Sequence, residues 1–322
     1  MKRIAVALML SILVACESKE QTAGPATAPA GDKPRVALVM KSLANEFFKT
    51  MQDGAEAHHA ANADRYELLS TGIKNETDVD QQIALIEQMA AQRVDAIVVA
   101  PADSKALVPA CRKAVDAGIV VVNIDNKLDA DALKDKNLTI PFVGPNNRTG
   151  AKLAGDYLAK KLQKGDAVAI IDGRLGAFNA TQRHEGFAAA MTKAGMNIVT
   201  SQPADWETDK ATPIVSAILT SNPNLKAILC ANDSMCLGAH TAVRDARKLG
   251  QVLLVGFDNI AAVQELIKKG EVLCTVDQHA DQIATNGIAY ALEILKTKST
   301  PTDKETAVDL ITAESLSTKP GQ

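Results

Sequence analysis

Short apolar runs alternate with segments of helical periodicity along almost the whole chain from residue 34 onward. Residues 36–40 and 96–100 are such runs, and their length and continuous apolar character are typical of strands buried on both faces of a sheet. Between the runs, apolar residues recur with helical spacing, for example at Phe47, Met51 and Ala55. This alternation predicts an α/β fold made of βαβ units with parallel sheets.

The alternation runs through the chain twice. It restarts at the apolar run 142–144, and a helix and a strand are left over after the second series, at about 283–295 and 307–312. The chain is therefore expected to cross back to the first lobe near its end. We predict two Rossmann-like lobes, each built from discontinuous segments and joined by a multi-strand hinge, with the ranges 34–145 plus 279–309 and 146–278 plus 310–316.

The first fifteen residues have the form of an export signal. Two basic residues are followed by an apolar run over residues 4–14, which is too short to span a membrane. The run ends in Leu13-Val14-Ala15-Cys16, which looks like a bacterial lipobox, so we predict a signal peptide over 1–15 and lipid attachment at Cys16. Residues 16–33, rich in Ala, Pro, Thr and Gly, are typical of a flexible tether. An ordinary signal peptide with a chance cysteine is the alternative, and the choice of inner or outer membrane stays open.

Several classes of function lack support in the sequence. A formal net charge of −3 and a pI near 6.0 give no reason to expect nucleic acid or an anionic membrane surface as a partner. The chain has no phosphate-binding glycine loop after a strand, no nucleophile elbow and no zinc-protease motif. We therefore expect no enzymatic activity, no cofactor and no metal site.

Four cysteines remain once Cys16 is assigned to a lipid. An exported protein can form disulfides, but the spacing of Cys111, Cys230, Cys236 and Cys274 matches neither a disulfide framework nor a metal site. Buried free thiols are the interpretation we favour, with disulfides as the alternative.

Polar side chains follow several of the predicted strands. Asp125-Asn126, Asn232-Asp233 and Asp258-Asn259 each come directly after an apolar run. Ligands of open α/β sheets bind outside the carboxyl ends of the strands, so these side chains lie where a small ligand is expected. Helix capping is the alternative role for Asp125, for Asp258 and for Asn45. At Asn232-Asp233 we expect Asp233 to cap the next helix and Asn232 to face the ligand.

Aromatic residues near these positions point to a sugar. Only 3% of the chain is aromatic, yet Phe47, Phe48, Phe178 and Trp206 fall in predicted loops or helix starts rather than in apolar strand runs. Planar Asp, Asn, Gln and Arg groups hold sugar hydroxyls in paired hydrogen bonds. The apolar C–H faces of a sugar can stack on aromatic rings.

Short segments throughout the chain carry a family resemblance. They are Asn45-Glu46-Phe47-Phe48, Asn123-Ile124-Asp125, Ala154-Gly155-Asp156-Tyr157-Leu158-Ala159, Arg183-His184-Glu185-Gly186-Phe187, Gln202-Pro203-Ala204-Asp205-Trp206, Ala231-Asn232-Asp233-Ser234-Met235 and Val255-Gly256-Phe257-Asp258. Together these segments resemble the periplasmic sugar-binding proteins of ABC transporters, in the ribose-binding branch that shares its fold with lactose-repressor-type regulators. The resemblance covers about residues 34–316 and implies a type I periplasmic binding protein fold.

The resemblance also implies a set of ligand contacts. The residues that we predict to bind the ligand are Asn45, Phe47, Phe48, Asp125, Asn126, Arg183, Trp206, Asn232, Asp258 and Gln278. Trp206 stands where ribose-binding members carry Phe. Asn126 replaces an Arg of those members, Glu46 replaces a Pro and Lys41 replaces a small hydroxyl residue. Because of these differences, the expected ligand is a related pentose, a hexose or a polyol rather than ribose itself. Lys41 and Glu46 are expected at the rim of the site.

The expected function is a lipid-anchored, substrate-binding protein of an ABC-type carbohydrate importer in the periplasm or cell envelope. It would bind a monosaccharide or polyol between its lobes by hinge closure, as a monomer, and deliver it to the transporter's membrane subunits. The alternative is a sugar or autoinducer sensor that presents its ligand to a chemoreceptor or histidine kinase. The lipobox disfavours a transcriptional regulator of the same fold.

Overall fold

The computed structural model describes residues 33–318. The predicted signal peptide, Cys16 and all but the last residue of the predicted tether lie outside this range. Within it, no helix is both long enough and apolar enough to cross a membrane.

The strands form two sheets of six strands each. In chain order they are β1 (Arg35–Ser42), β2 (Glu67–Ile73), β3 (Ala96–Val99), β4 (Val120–Ile124), β5 (Phe142–Pro145), β6 (Ala167–Asp172), β7 (Asn197–Pro203), β8 (Ala227–Cys230), β9 (Leu253–Val255), β10 (Cys274–Asp277), β11 (Lys304–Thr306) and β12 (Asp309–Thr312).

Both sheets have the same plan. The first sheet has the order β11-β5-β4-β3-β1-β2 and the second has β12-β10-β9-β8-β6-β7. All pairs are parallel except β10 with β12. In each sheet the strand order reverses beside the first strand, at β1 or at β6, which is where open α/β sheets bind ligands. The central strands are buried on both faces, as their unbroken apolar sequences predict.

Helices connect the strands. They are α1 (Glu46–Ala61), α2 (Val79–Ala91), α3 (Val108–Asp116), α4 (Ala130–Asp135), α5 (Asn147–Ala159), α6 (Phe178–Lys193), α7 (Thr208–Ser221), α8 (Asp233–Asp245), α9 (Ala261–Lys268), α10 (Ala280–Thr297) and α11 (Ala313–Thr318). Several begin at a side chain that accepts a backbone N–H of the first turn: Asn45 for α1, Asp129 for α4, Asn146 for α5 and Asn232 for α8.

The chain passes between the two sheets three times, after β5, after β10 and between β11 and β12. After the second passage, α10 packs against the first sheet. Gly287 permits this close approach, since a Cβ at that position would lie 2.7 Å from Ile124 and 2.9 Å from Val98. The predicted last strand over residues 307–312 corresponds to β12 (Asp309–Thr312). The short strand before it, β11 (Lys304–Thr306), belongs to the other sheet and was not predicted.

The four cysteines of the described residues are free thiols in the core. Burial raises the pKa of Cys111 to about 12 and raises the pKa of Cys274 further. Because the thiolate is the reactive form, these buried thiols are chemically inert in the folded protein.

Candidate functional site

A pocket lies between the two lobes at the carboxyl ends of the strands. It contains about 230 Å³ of space not filled by protein atoms. The side chains around it are Lys41, Asn45, Phe47, Phe48, Glu76 and Asp125 from the first lobe, and Asn179, Arg183, Trp206, Asn232, Asp258 and Gln278 from the second. All but Asn45 are buried.

The structure brings all but one of the predicted ligand-binding residues into this pocket. Those that line it are Asn45, Phe47, Phe48, Asp125, Arg183, Trp206, Asn232, Asp258 and Gln278. Both lobes contribute, and the contributing residues follow strands or lie in the first two turns of helices. Only a folded sheet could place residues so far apart in sequence around one small volume.

Asn126 is the exception, and the structure gives it a different role. Its side chain is buried outside the pocket, and both of its polar atoms form hydrogen bonds. Nδ2 donates to the carbonyl of Pro101 at 2.9 Å, and Oδ1 accepts the backbone N–H of Asn179 at 3.0 Å. The position after Asp125 therefore faces the opposite lobe and does not face the pocket.

The division of roles at Asn232 and Asp233 also differs from the prediction. Asn232 is itself the cap of α8, since its Oδ1 accepts the N–H of Met235 at 2.9 Å, and it lines the pocket as well. Asp233 does not line the pocket. Its carboxylate accepts Thr275 Oγ1 at 2.7 Å and the N–H of Ile260 at 3.0 Å, which ties α8 to the loop after β9 and to β10.

Three pocket residues were not among the predicted ligand contacts. Lys41 was expected at the rim but is buried inside, at the end of β1. Glu76 lies in the loop after β2, where no apolar pattern marks it. Asn179 lies four positions before Arg183 on α6, so helical periodicity could have found it once Arg183 was placed in the site.

Arg183 organises the second-lobe wall. Its guanidinium donates to Asn147 Oδ1 at 2.8 Å, to the carbonyl of Ala231 at 2.8 Å and to Asp258 Oδ1 at 3.2 Å. It also donates to Gln278 Oε1 at 3.2 Å, and it lies over the ring of Phe257, 3.8 Å from the centroid. These contacts hold the guanidinium in one orientation without any help from a ligand.

Burial opposes the charges of this pair. It raises the pKa of Asp258 well above the ordinary range, and Arg183 is the largest influence in the other direction. Burial likewise lowers the pKa of Arg183, against the attraction of Asp258 and Asp125. A guanidinium stays charged at neutral pH even so, and the pair is therefore held by geometry against a large cost of desolvation.

Lys41 gives the first-lobe wall a second buried cation. Its ammonium lies 3.0 Å from Asp125 Oδ2, in ion-pair contact but outside hydrogen-bonding alignment. It also lies 5.3 Å from the ring centroid of Phe48 and 5.6 Å from that of Trp206. Two cations thus stand among the three lining carboxyl groups, Glu76, Asp125 and Asp258.

Glu76 is a carboxyl group with a displaced titration. Burial raises the pKa of Glu76 from 4.5 to about 7, against the lowering effect of Lys41 and of a hydrogen bond from Asn45. At neutral pH the group is therefore close to half-protonated, and the charges around the pocket are near balance. A neutral ligand fits such a pocket better than an anion.

This titration predicts a pH dependence that Glu76→Gln should reduce. A carboxyl group with a raised pKa binds its proton more tightly in the folded, closed protein, so the contribution of Glu76 to stability is fully present below pH 4.5 and is lost as the pH rises towards 7. The loss can reach about 3 kcal/mol. We expect the melting temperature of the closed protein, measured with saturating ligand, to fall less over this interval in Glu76→Gln than in the unmodified protein, in thermal unfolding at constant ionic strength.

Two comparisons make this prediction specific. Burial also raises the pKa of Asp233 to about 7. The melting temperature of Glu76→Gln should therefore keep a weaker dependence on pH. The exposed carboxyl group of Glu56 provides a matched control, and Glu56→Gln should keep the full slope. Identical slopes in Glu76→Gln and the unmodified protein would contradict a raised pKa at Glu76.

Four buried polar atoms at the pocket have no hydrogen-bond partner within residues 33–318: Glu76 Oε2, Asp125 Oδ2, Asn179 Oδ1 and Trp206 Nε1. Buried polar groups in proteins are almost always paired. The first three are oxygen acceptors and the last is an N–H donor. The pocket is therefore complementary to a ligand with several hydroxyl groups, each of which can donate and accept.

Aromatic rings supply the apolar part of the walls. Phe47 and Phe48 of the first lobe meet edge to face, with centroids 5.1 Å apart at 85°. Trp206 covers the second-lobe side and lies so close to Gly173 that a Cβ there would be 2.1 Å from the indole ring.

Within the described part of the chain, no group of His, Cys, Asp and Glu side chains has the arrangement of a metal site.

Comparison with known proteins agrees with this chemistry. Residues 36–299 match a family model described as periplasmic binding protein domain. A D-ribose/D-allose-binding protein of Pseudomonas aeruginosa is 52% identical over 320 residues, which cover 97% of this chain and 100% of the relative.

Two solved structures share the fold. A solute-binding protein of an ABC transporter from Burkholderia multivorans, with an unknown ligand, is 54% identical, with a TM-score of 0.86 and coverage of 88% of this chain and 100% of the other. A second, from Actinobacillus succinogenes 130z with bound D-allose, is 36% identical, with a TM-score of 0.83 and coverage of 89% and 100%. The predicted type I periplasmic binding protein fold and the predicted family are confirmed.

Proposed function

Because the chain belongs to the periplasmic binding protein family, we propose that it binds a monosaccharide of the ribose and allose type for an ABC-type importer. The ligand occupies the pocket between the lobes and is held by both of them. Closure of the hinge completes the site, so that the ligand shifts the protein towards the closed form. The protein has no catalytic role, in keeping with its family.

The observation that carries this proposal is the set of four unpaired polar atoms between aromatic walls. Ring hydroxyls donate to Glu76 Oε2, Asp125 Oδ2 and Asn179 Oδ1, and one hydroxyl accepts the indole N–H of Trp206. A hydrogen bond that involves a charged group contributes about 1.5–3 kcal/mol. A few such bonds together with stacking account for micromolar affinity, about −8 kcal/mol.

The choice within sugars follows from shared stereochemistry. D-Ribopyranose and D-allopyranose have the same configuration at the first four carbons, and allose adds a hydroxymethyl group at the fifth. Relatives described as binding ribose, allose or both are similar to this chain over most of its length. Because Lys41 and Asn126 replace a small residue and an Arg of the ribose-binding pattern, we propose D-allose as the preferred ligand and D-ribose as a weaker one.

A thermal-shift screen followed by calorimetry tests the ligand. We expect stabilisation by D-allose and D-ribose, and much weaker effects from their epimers D-glucose and D-arabinose. Sugar phosphates should fail, since a phosphate would approach the buried carboxyl groups of Glu76, Asp125 and Asp258. No stabilisation by any pentose, hexose or polyol would overturn the proposal.

The cellular setting is part of the proposal. Lipid attachment at Cys16 holds the protein at the periplasmic face of a membrane, the chain acts as a monomer, and the closed form delivers sugar to the transporter's membrane subunits. The basis is the lipobox-like Leu13-Val14-Ala15-Cys16 together with the family match. Cys16→Ser should release the protein from the membrane fraction, and an unchanged distribution would contradict the anchor.

A further inference from the structure

Two helices of the second lobe follow a residue that has no side-chain acceptor with which to cap them. α6 follows Ala177 and α9 follows Ile260, and neither residue has a side-chain acceptor. In the same lobe, α5 and α8 are capped by Asn146 and Asn232. Since the first N–H groups of a helix have no partner inside the helix, α6 and α9 need oxygen atoms from elsewhere.

The first lobe provides them for α6. The N–H of Phe178 donates to Ser104 Oγ at 2.9 Å, and the N–H of Asn179 donates to Asn126 Oδ1 at 3.0 Å. Ser104 and Asn126 are buried and lie within hydrogen-bonding distance of each other. Asn126 Nδ2 also donates to the carbonyl of Pro101 at 2.9 Å, so the oxygen that meets the helix is held in place.

The first lobe also provides one for α9. The N–H of Ala261, the first residue of the helix, donates to Glu46 Oε1 at 2.6 Å. Glu46 is itself the first residue of α1. A carboxylate beside a helix N-terminus also interacts favourably with the positive end of the helix dipole.

We infer that Ser104, Asn126 and Glu46 are helix caps supplied across the cleft, which favour closure of the lobes without touching the ligand. When the lobes separate, the first-turn N–H groups of α6 and α9 lose these oxygens and return to water. Each cap thus stabilises the closed form and has no effect on the open form. The geometry of the caps is independent of the ligand, but their effect on affinity rests on the proposed function.

Two of these residues stand where the chain departs from the ribose-binding pattern. Glu46 replaces a Pro, which has no side-chain acceptor, and Asn126 replaces an Arg, which has no acceptor either. Both replacements introduce an oxygen that reaches a helix N-terminus of the other lobe.

The expected size of the effect follows from helix capping. Loss of one cap is expected to weaken sugar binding about fivefold, the equivalent of about 1 kcal/mol. Where the ligand-free protein is already partly closed, part of the effect appears instead as a larger open fraction. Both quantities therefore have to be measured.

The experiment compares Ser104→Ala, Asn126→Ala and Glu46→Ala with the unmodified full chain. Calorimetry gives the Kd for D-allose, small-angle X-ray scattering gives the radius of gyration without ligand, and melting curves establish that each variant is folded. Ser42→Ala is the matched control, because Ser42 is a buried serine whose hydroxyl donates to the carbonyl of Lys74 at 3.0 Å within the first lobe. Glu46→Gln keeps an acceptor oxygen and should restore most of the affinity lost in Glu46→Ala.

A rise in Kd or in the radius of gyration beyond that of Ser42→Ala, in all three alanine variants, supports the caps. If Ser104→Ala and Glu46→Ala are folded and their Kd and radius of gyration equal those of Ser42→Ala, the proposed caps are overturned. If the unmodified protein binds no sugar, the proposed function fails, while the radii of gyration still decide whether the caps favour closure.

Discussion

Replacing Arg183 by leucine is expected to abolish sugar binding and to lower the free energy of unfolding by about 3–5 kcal/mol. The guanidinium is the buried donor shared by Asn147, Ala231, Asp258 and Gln278. Without it, these acceptors lose their shared donor, and the Asp258 carboxylate has no countercharge on its own lobe. Urea denaturation measures the loss of stability, and calorimetry with D-allose measures the loss of binding.

A second substitution separates charge from shape. In Arg183→Leu combined with Asp258→Asn, no uncompensated charge is buried, so a large part of the lost stability should return. Sugar binding should not return, because the guanidinium that lines the pocket is still absent. A double variant no more stable than Arg183→Leu alone would show that the ion pair, 3.2 Å long, is not the source of the loss.

The second large effect is expected at Trp206. Trp206→Ala should weaken sugar binding at least about 100-fold, which corresponds to about 3 kcal/mol. The indole is buried, and its Nε1 is the unpaired donor among the four unpaired polar atoms of the pocket. Truncation removes the second-lobe stacking surface and that donor together.

Trp206→Phe distinguishes the two contributions. Phenylalanine keeps a ring for stacking but has no N–H, so the expected loss is about tenfold, the effect of one hydrogen bond. Gly173→Ala is an independent test, since a Cβ at this position would lie 2.1 Å from the indole ring and displace it. Retained affinity in both Trp206→Ala and Gly173→Ala, measured by calorimetry, would remove Trp206 from the site.

The sequence predicts the strand ends of this site well. Asp125, Asn232 and Asp258 follow apolar strands, and strand ends of parallel sheets converge on ligands. The same pattern does not reveal Glu76, because the loop after β2 has no periodicity that directs a side chain inward. Glu76 reaches the pocket through the path of that loop, a tertiary property that is not encoded in its neighbours.

Positions 41 and 126 show a second limit of the sequence. A lysine after a strand suggests a solvated rim, but the carboxylate of Asp125, distant in sequence, stabilises Lys41 in the interior. An asparagine beside Asp125 suggests a ligand contact, but Asn126 meets α6 of the other lobe. In both cases the decisive partner is a contact between elements that the sequence keeps far apart.

The three passages of the chain between the lobes affect the order in which the molecule can be completed. The first lobe contains the earliest strands, yet α10 covers its sheet, and Gly54 of α1 lies so close to α10 that a Cβ there would be 2.6 Å from Asp281 Cα. β11 then adds the last strand to the same sheet. Domains usually fold from the N-terminus as a chain is synthesised. Here the packing of the lobe that is synthesised first is completed only after residue 306 has been added, by α10 and β11.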